Sequence, residues 1–155
     1  MSLTRRLARP MLSTVFVTSG IDTLRNPGPR VEMAEPVATK AAEPLSPPLP
    51  QDTEQLVKIN AIAQVVAGTL LAWGRFRRLA ATVLAATLVP TTLAGHRFWE
   101  MEDPAQRSQQ QVQFFKNVGL LGGLILAAVD TEGAPSLTWR AKRAARRARQ
   151  ALPIG

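Results

Sequence analysis

The chain has 155 residues, of which 46% are hydrophobic and only 19% are charged, a charged fraction below that of typical soluble domains. Its formal net charge is +8 while its mean hydropathy is near zero, so charged and apolar residues must be separated along the chain. The absence of cysteine and the single histidine, His96, exclude disulfides, thiolate nucleophiles and metal centres built from cysteine or several histidines. We therefore predict no metal site.

Four apolar segments indicate a membrane protein. They cover residues 7–24, 56–73, 79–96 and 112–129, and each is bounded by charges or proline. A membrane-spanning helix needs about 20 largely apolar residues, and the second and fourth segments meet this length. The third contains Pro90, which kinks a membrane helix without excluding it. The sequence thus predicts an all-α membrane protein in which residues 1–137 form a bundle of four transmembrane helices.

The first segment has two interpretations. It carries Arg9, Pro10 and Asp22 near its ends, and its basic start before a short apolar core is also typical of a cleaved signal peptide. The Thr-Ser-Gly stretch at 18–20, however, provides no Ala-x-Ala cleavage site. We therefore expect the segment to be retained as a helix.

The distribution of basic residues predicts the orientation of the bundle. Twelve Lys and Arg residues lie in the N-terminal tail, between the second and third segments, and after the fourth. The opposite side holds seven, together with nine acidic residues. Because basic residues mark the cytoplasmic side, both termini are expected in the cytoplasm. Arginine greatly outnumbers lysine, which indicates a GC-rich bacterial genome and hence the bacterial plasma membrane.

Two regions lie outside the four segments. Residues 26–55 contain seven of the twelve prolines, which favours extended or turn conformations without a long helix. This external loop either covers the mouth of the bundle or is simply solvated. Residues 138–155 form a basic cytoplasmic tail that is expected to contact anionic lipid headgroups or an acidic partner, and not nucleic acid. Its basic residues are Arg140, Lys142, Arg143, Arg146, Arg147 and Arg149.

Polar residues of all four segments are predicted to meet at the outer mouth of the bundle. They are Asp22, Asn60, Gln64, His96, Lys116 and Asn117. Asn60, Gln64 and Gly68 recur at i, i+4 and i+8, so they share a face that should look into the bundle. Because an unpaired charge is costly at membrane depth, we expect Asp22 to pair with Lys116.

This polar set allows two interpretations. In one, His96 and Lys116 bind or protonate the head group of a quinone or another small lipid-soluble molecule. In the other, the same residues are solvated at headgroup level, and His96 only caps a helix end. Phe98 and Trp99, which follow His96, are expected to anchor the third helix at the membrane interface.

Small residues and one proline mark the packing of the last two segments. Gly119 and Gly123, with Gly122 beside them, form a Gly-x-x-x-Gly pattern that brings helices close together. It either packs the fourth helix against its neighbours in the bundle or mediates contact with a second copy of the chain. Pro90 leaves a backbone carbonyl without its helical donor, and Thr87 or Thr91 is placed to satisfy it.

A family resemblance is carried mainly by the second half of the chain. The stretches are His96-Arg97-Phe98-Trp99, Asp103-Pro104, Gln113-Phe114-Phe115-Lys116-Asn117, Leu121-Gly122-Gly123-Leu124 and residues 127–130. Together they resemble the C-terminal half of DoxX membrane proteins. An arginine-rich start leading into Phe16 and Ser19-Gly20 resembles the family's opening less specifically, and Asp22 stands where many members carry lysine. The resemblance implies a four-helix membrane bundle associated with sulfur-compound or quinone-linked oxidoreduction, or with oxidant and thiol-stress systems.

The sequence contains no pattern of an enzyme that acts alone. A Ser-His-Asp order, a phosphate-binding glycine loop and paired catalytic carboxylates are all absent, so no catalytic residue is predicted. Two classes of function remain. The first is a membrane subunit or anchor of an oxidoreductase or stress-defence assembly, with a quinone-like molecule as candidate ligand. The second is a non-catalytic structural accessory of a larger membrane complex. Both imply other protein subunits as partners, and a homo-oligomer remains an option.

Overall fold

The computed structural model describes residues 3–42 and 52–131, together with residues 139, 142, 143, 146 and 147. The helices are α1 (Leu3–Arg25), α2 (Gly28–Ala42), α3 (Thr53–Trp73), α4 (Arg77–Gly95) and α5 (Pro104–Val129), with a short 3₁₀ helix at Phe98–Glu100. The spans long and apolar enough to cross a membrane are Thr53–Trp73, Arg77–Glu100 and Pro104–Val129. The all-α membrane architecture is therefore confirmed, whereas α1, with its charged ends, lies outside this set of three.

The helix ends follow from local sequence. Asp52 caps α3 by accepting a hydrogen bond from the Glu54 backbone N–H at 2.9 Å, and Asp103 caps α5 in the same way. Pro104 opens α5 at a position where a missing N–H costs nothing. Gly74 ends α3 in the left-handed conformation, with φ of 77°. These capping residues determine where the spans begin and end.

The first half of the proline-rich region is helical, so the expectation of extended or turn conformation was wrong for residues 28–42. Pro29 lies in the first turn of α2, where the absence of its N–H removes no helical hydrogen bond. The backbone N–H groups of Arg30 and Val31 both donate to the Pro27 carbonyl, which starts the helix. α2 contacts both α3 and α4. Residues 43–51 of the same region lie outside the described ranges.

α1, α3, α4 and α5 run alternately in opposite directions. Side chains near the start of α3 hydrogen bond to the end of α4, and the start of α4 hydrogen bonds to the end of α5. One end of the bundle therefore contains the start of α1, the α3–α4 turn and the end of α5. We call it the basic end because it carries Arg5, Arg6, Arg9, Arg75, Arg77 and Arg78. The other is the acidic end, with Asp22, Asp52, Glu100, Glu102 and Asp103.

The apolar core lies closer to the basic end. Leu71 near the end of α3, Leu84 in the first half of α4 and Leu124 in the second half of α5 are fully buried. Phe16 from α1 and Leu88 of α4 complete the core toward the middle of the bundle. Toward the acidic end, buried positions are taken by polar residues, among them Gln64 and Thr92. Buried Gln64 and Thr92 place the candidate site toward the acidic end, while the buried polar residues nearer the basic end are Arg9 and Ser13.

Candidate polar site between α3, α4 and α5

Two amides of α3 converge on one hydroxyl of α4. Asn60 Nδ2 lies 3.1 Å and Gln64 Nε2 3.5 Å from Thr91 Oγ1. Gln64 is only 5% exposed, and Asn60 is half-buried. The face shared by Asn60, Gln64 and Gly68 does point into the bundle, as their spacing predicts. Thr91 is the residue that connects this face to α4.

The hydrogen bonds of Thr91 fix the orientation of both amides. Thr91 Oγ1 donates its proton to the Thr87 carbonyl at 2.7 Å, so toward the amides it can act only as an acceptor. Asn60 and Gln64 must therefore turn their NH₂ groups toward it and their carbonyl oxygens away. Within the part of the chain that the structure describes, neither carbonyl oxygen accepts a hydrogen bond. Two hydrogen-bond acceptors thus remain available inside the bundle.

Asn117 of α5 repeats this arrangement with the next residue of α4. Its Nδ2 donates to Thr92 Oγ1 at 3.0 Å, while Thr92 Oγ1 donates to the Leu88 carbonyl at 2.7 Å. The Asn117 carbonyl oxygen is oriented away from Thr92 for the same reason. We call Asn60, Gln64, Thr91, Thr92 and Asn117 the amide–hydroxyl cluster. It connects three helices by neutral hydrogen bonds.

His96 extends the polar surface toward the acidic end. Its Nδ1 lies 2.7 Å from Oε1 of Gln110, and both residues are half-buried. Because that oxygen only accepts, Nδ1 carries the proton, and Nε2 of the neutral ring is left as an acceptor. Gln110 and Asn117 are seven residues apart, about 10 Å along α5. The polar side chains of Thr92, Asn117 and Gln110 therefore follow the interface of α4 and α5 from the bundle interior to His96.

An aromatic cluster borders these polar side chains. Phe98 of the 3₁₀ helix meets Phe114 of α5 edge to face with ring centroids 5.4 Å apart, and Trp99 meets Phe114 at 5.9 Å. Phe115 is 5.6 Å from Phe114. Such edge-to-face pairs hold the 3₁₀ helix against α5. Trp99 and Phe115 remain about half exposed, so the cluster presents apolar surface beside His96.

The expected ion pair between Asp22 and Lys116 is not formed. Asp22 lies at the end of α1 with its side chain 75% exposed, and its carboxylate is 4.0 Å from Arg30 of α2. Lys116 is exposed on α5 and forms no ion pair with any residue that the structure describes. The cation beside the Asp22 carboxylate is Arg30 and not Lys116. Neither side chain hydrogen bonds to the amide–hydroxyl cluster.

The glycines divide into two groups. A Cβ on Gly68 would lie 2.7 Å from Cγ2 of Val17, and one on Gly20 would lie 2.8 Å from the Ala61 carbonyl oxygen, so α1 and α3 pack backbone to backbone. Gly123 faces Leu12 of α1 at an ordinary contact distance. Gly119 and Gly122, in contrast, have nothing within 4 Å in the described structure. For these two, the described residues show no packing partner within the bundle, and contact with a second copy stays a prediction.

Neither threonine near Pro90 satisfies the carbonyl that this proline leaves without its donor. The helical donor that Pro90 lacks would bond to Ala86, four residues earlier. Thr87 donates to the Leu84 carbonyl and Thr91 to the Thr87 carbonyl instead. The two hydroxyls follow ordinary back-bonding geometry. The role of Thr91 is therefore to receive amides from α3.

A charged cluster at the basic end was missed by the sequence analysis. The Asp130 carboxylate lies 3.0 Å from Arg5 Nε and 3.4 Å from Arg9 NH2. Arg78 Nε donates to the Ala128 carbonyl at 2.8 Å. Cations at a helix C-terminus are favourable, and here they also tie α1 and α4 to the end of α5. The alternating direction of the spans was the available signal, because it places Asp130 at the same end as Arg5 and Arg9.

Most of the basic tail lies outside the described residues, including Arg140 and Arg149. At the described positions 139, 142, 143, 146 and 147 the backbone is helical and the residues are exposed. Arg143 stacks over the Trp139 ring at 4.9 Å from its centroid. Contact of this tail with anionic lipid stays a prediction.

Comparisons with known proteins agree with a membrane location. The family model described as DoxX matches residues 5–97, more than half of the chain. The inner membrane protein YphA of Escherichia coli (strain K12) is 32% identical over 82 residues, which cover 53% of this chain and 58% of the relative. The chain thus matches a little over half the length of that relative. No solved structure matches.

The extent of the family match corrects the sequence analysis in one respect. The match ends at Arg97, so the α5 stretches that resemble the family lie beyond it. The first half, with its arginine-rich start and Ser19-Gly20, carries the relationship instead. The family match over more than half of the chain, together with the membrane-spanning helices, leads to one assignment: the chain belongs to the DoxX family of membrane proteins.

Proposed function

We propose that this protein is a membrane subunit or anchor of an oxidoreductase or of an oxidative or thiol-stress assembly, and that the amide–hydroxyl cluster binds a quinone-like molecule. The observation that carries this proposal is the orientation of Asn60, Gln64 and Asn117. Their NH₂ groups are fixed on threonine hydroxyls, and their carbonyl oxygens have no donor among the described residues. Because these carbonyl oxygens only accept hydrogen bonds, they suit a small apolar molecule that carries hydroxyl groups, which for a quinone-like ligand is its reduced, quinol form.

The surroundings of the cluster support the same type of ligand. Nε2 of His96 adds a further hydrogen-bond acceptor beside the cluster. The rings of Phe98, Phe114 and Phe115 provide apolar surface for an aromatic head group. The chain offers no redox group of its own, so electrons would have to pass between the ligand and a partner subunit. This is why we propose a subunit and not an independent enzyme.

The proposed topology has four spans with both termini in the cytoplasm of a bacterial cell. The length of α1 supports four spans, because its 23 residues extend about 34 Å, enough to cross the roughly 30 Å hydrocarbon core. Its hydroxyls are compatible with lipid, since Ser13, Thr14 and Thr18 each donate to a carbonyl of their own helix. The arginines of the basic end favour the cytoplasmic side.

The absence of cysteine makes this topology directly testable. Single cysteines at exposed positions of each end are labelled in intact cells with a membrane-impermeant maleimide. We expect Arg25→Cys and Ser108→Cys to react, and Thr4→Cys and Arg75→Cys to react only after the membrane is permeabilised. Reaction of Thr4→Cys and Arg25→Cys on the same side would mean that α1 does not span.

The ligand proposal is tested on protein purified in a mild detergent. We expect quinone or quinol at close to one molecule per chain by mass spectrometry. Gln64→Met, which removes the buried amide while preserving the length of the side chain, should lower this content at least ten-fold. Lys116→Gln changes an exposed side chain that makes no hydrogen bond with the cluster, so it serves as the matched control and should retain the ligand. Equal content in Gln64→Met and the parent would contradict the proposed site.

The alternative function is a structural accessory without a ligand. It is favoured by the fact that each amide of the cluster already bonds to a threonine, so the cluster also works as a clamp between helices. Purified complexes that contain partner proteins but no lipid-soluble ligand would support it. In that case the Gln64→Met variant should also still assemble with its partner proteins, and the complex should keep its activity.

A further inference from the structure

The turn between α3 and α4 exposes two aromatic rings at the basic end. Trp73, the last residue of α3, is 81% exposed, and Phe76 is 66% exposed. With Gly74 and Arg75 they line an open groove of about 530 Å³. Leu79, on the next turn, is also largely exposed. The turn therefore presents apolar and cationic surface side by side.

The backbone of Phe76 is unusual for its residue type. Its φ of 50° lies in the left-handed region, which bulky residues seldom adopt. A glycine at this position would adopt the same conformation without strain, as Gly74 does two residues earlier. A strained phenylalanine that is mostly exposed contributes little to the core. The exposed ring is therefore available for contacts outside the protein.

The charges at the turn are cationic. Arg75 is exposed, and its guanidinium forms no ion pair or hydrogen bond with the residues that the structure describes. Arg78 is exposed as well, although its Nε donates to the Ala128 carbonyl. The stretch 73–79 contains no acidic residue. The groove is therefore complementary to an anion.

We propose that the turn from Trp73 to Phe76 binds the headgroup of an anionic phospholipid. Arg75 contacts the phosphate, for which the guanidinium geometry is well suited. Trp73 and Phe76 lie at the level of the headgroups, where aromatic side chains are favoured at both faces of a bilayer. The large exposed apolar surface of the turn favours a lipid over a free anion, because a dissolved anion would leave these rings in water. This site lies at the opposite end of the bundle from the amide–hydroxyl cluster and is independent of it.

The test uses Trp73 itself as the reporter. In a full-length variant with Trp99→Phe and Trp139→Phe, Trp73 is the remaining tryptophan, since the chain has three. The protein is reconstituted in phosphatidylcholine bilayers that contain equal fractions of brominated phosphatidylglycerol or brominated phosphatidylcholine. We expect stronger quenching by phosphatidylglycerol. Arg75→Gln should lower the relative association of that lipid about five-fold, the effect of one basic residue at an anionic surface.

Matched variants separate the site from general charge effects. Arg107→Gln removes an exposed arginine at the acidic end and should leave the lipid preference unchanged. Phe76→Gly retains the backbone conformation without strain, and should weaken the preference because the ring is lost. Native mass spectrometry of the unaltered chain, counting retained phosphatidylglycerol, gives the same comparison without tryptophan substitutions.

Three results would overturn the proposal. The first is equal quenching by the two lipids in the parent, and the second is an undiminished preference in Arg75→Gln. The third is loss of the preference on adding millimolar inorganic phosphate, which would assign the groove to a free anion. Persistence of the preference in phosphate, together with its loss in Arg75→Gln, would support a lipid site.

Discussion

The two ends of the bundle are held together by different kinds of interaction. At the basic end, Asp130 joins Arg5 and Arg9 through charge, and Arg78 binds the end of α5. At the acidic end, neutral amides of Asn60, Gln64 and Asn117 bind threonine hydroxyls. Removing one partner of a buried charged pair leaves a charge uncompensated, whereas a neutral hydrogen bond can be exchanged for one to a ligand. Under the proposed function, the charged interactions of the basic end close the bundle and the ligand enters at the acidic end.

The largest expected effect comes from breaking the charged cluster. Asp130→Asn removes the carboxylate shared by Arg5 and the nearly buried Arg9. We expect the free energy of unfolding to fall by about 3 kcal/mol, the lower end of the loss for a buried pair, because Arg9 is buried while Asp130 is a quarter exposed. Reversible unfolding in mixed detergent micelles, followed by far-ultraviolet circular dichroism, measures this change.

The acidic end provides the control for this substitution. Asp22→Asn removes an equivalent carboxylate that is largely exposed and 4.0 Å from Arg30. Exposed pairs contribute about 0 to 1 kcal/mol, so the stability should barely change. If Asp22→Asn lowered the free energy of unfolding as much as Asp130→Asn, the two ends of the bundle would not differ in how strongly their carboxylates stabilise it.

The next effect concerns the α1–α3 contact, which runs between the two ends. Gly20→Ala places a methyl group 2.8 Å from the Ala61 carbonyl oxygen, and a backbone atom cannot move aside. We expect the free energy of unfolding to fall by about 2 kcal/mol, which is typical of overpacking. In Gly68→Ala the new methyl group meets the end of the Val17 side chain, which can rotate. The free energy of unfolding of this variant should therefore fall by less.

Gly122→Ala completes this series as a control, because nothing lies within 4 Å of its Cβ position in the described structure. It should leave the stability unchanged or raise it slightly through better helix propensity. The same unfolding measurement ranks the three variants. If Gly122→Ala instead lowered the free energy of unfolding and changed the oligomeric state, contact with a second copy would be supported.

The smallest effect is expected in the amide–hydroxyl cluster. Thr91→Val removes the acceptor of both Asn60 and Gln64, and should cost about 1 kcal/mol, within the range of interhelical hydrogen bonds in membrane proteins. Thr69→Val is the matched control, because the Thr69 hydroxyl bonds only to a carbonyl of its own helix. Equal unfolding free energies for the two variants would argue against a clamp at Thr91.

Much of the architecture could be predicted from local sequence. Apolar segments between charges predicted an all-α membrane protein, which is confirmed, and the face of Asn60, Gln64 and Gly68 was found from spacing alone. α2 was missed because prolines were read as helix breakers, although Pro29 occupies the first helical turn, where proline is tolerated. The polar start of α5 was also missed, since the helix begins at Pro104 while the apolar segment begins near 112.

Hydropathy and charge are properties of neighbouring residues, and the sequence by itself determined the helical membrane class. Only the tertiary structure decided which polar groups meet. Asp22 faces Arg30 and not Lys116, Thr91 receives Asn60 and Gln64, and Gly119 and Gly122 face outward while Gly20 and Gly68 pack against neighbouring helices. The reason is that partner choice depends on the rotation of each helix about its axis, which is set by packing against neighbouring helices rather than by the length or composition of any one segment.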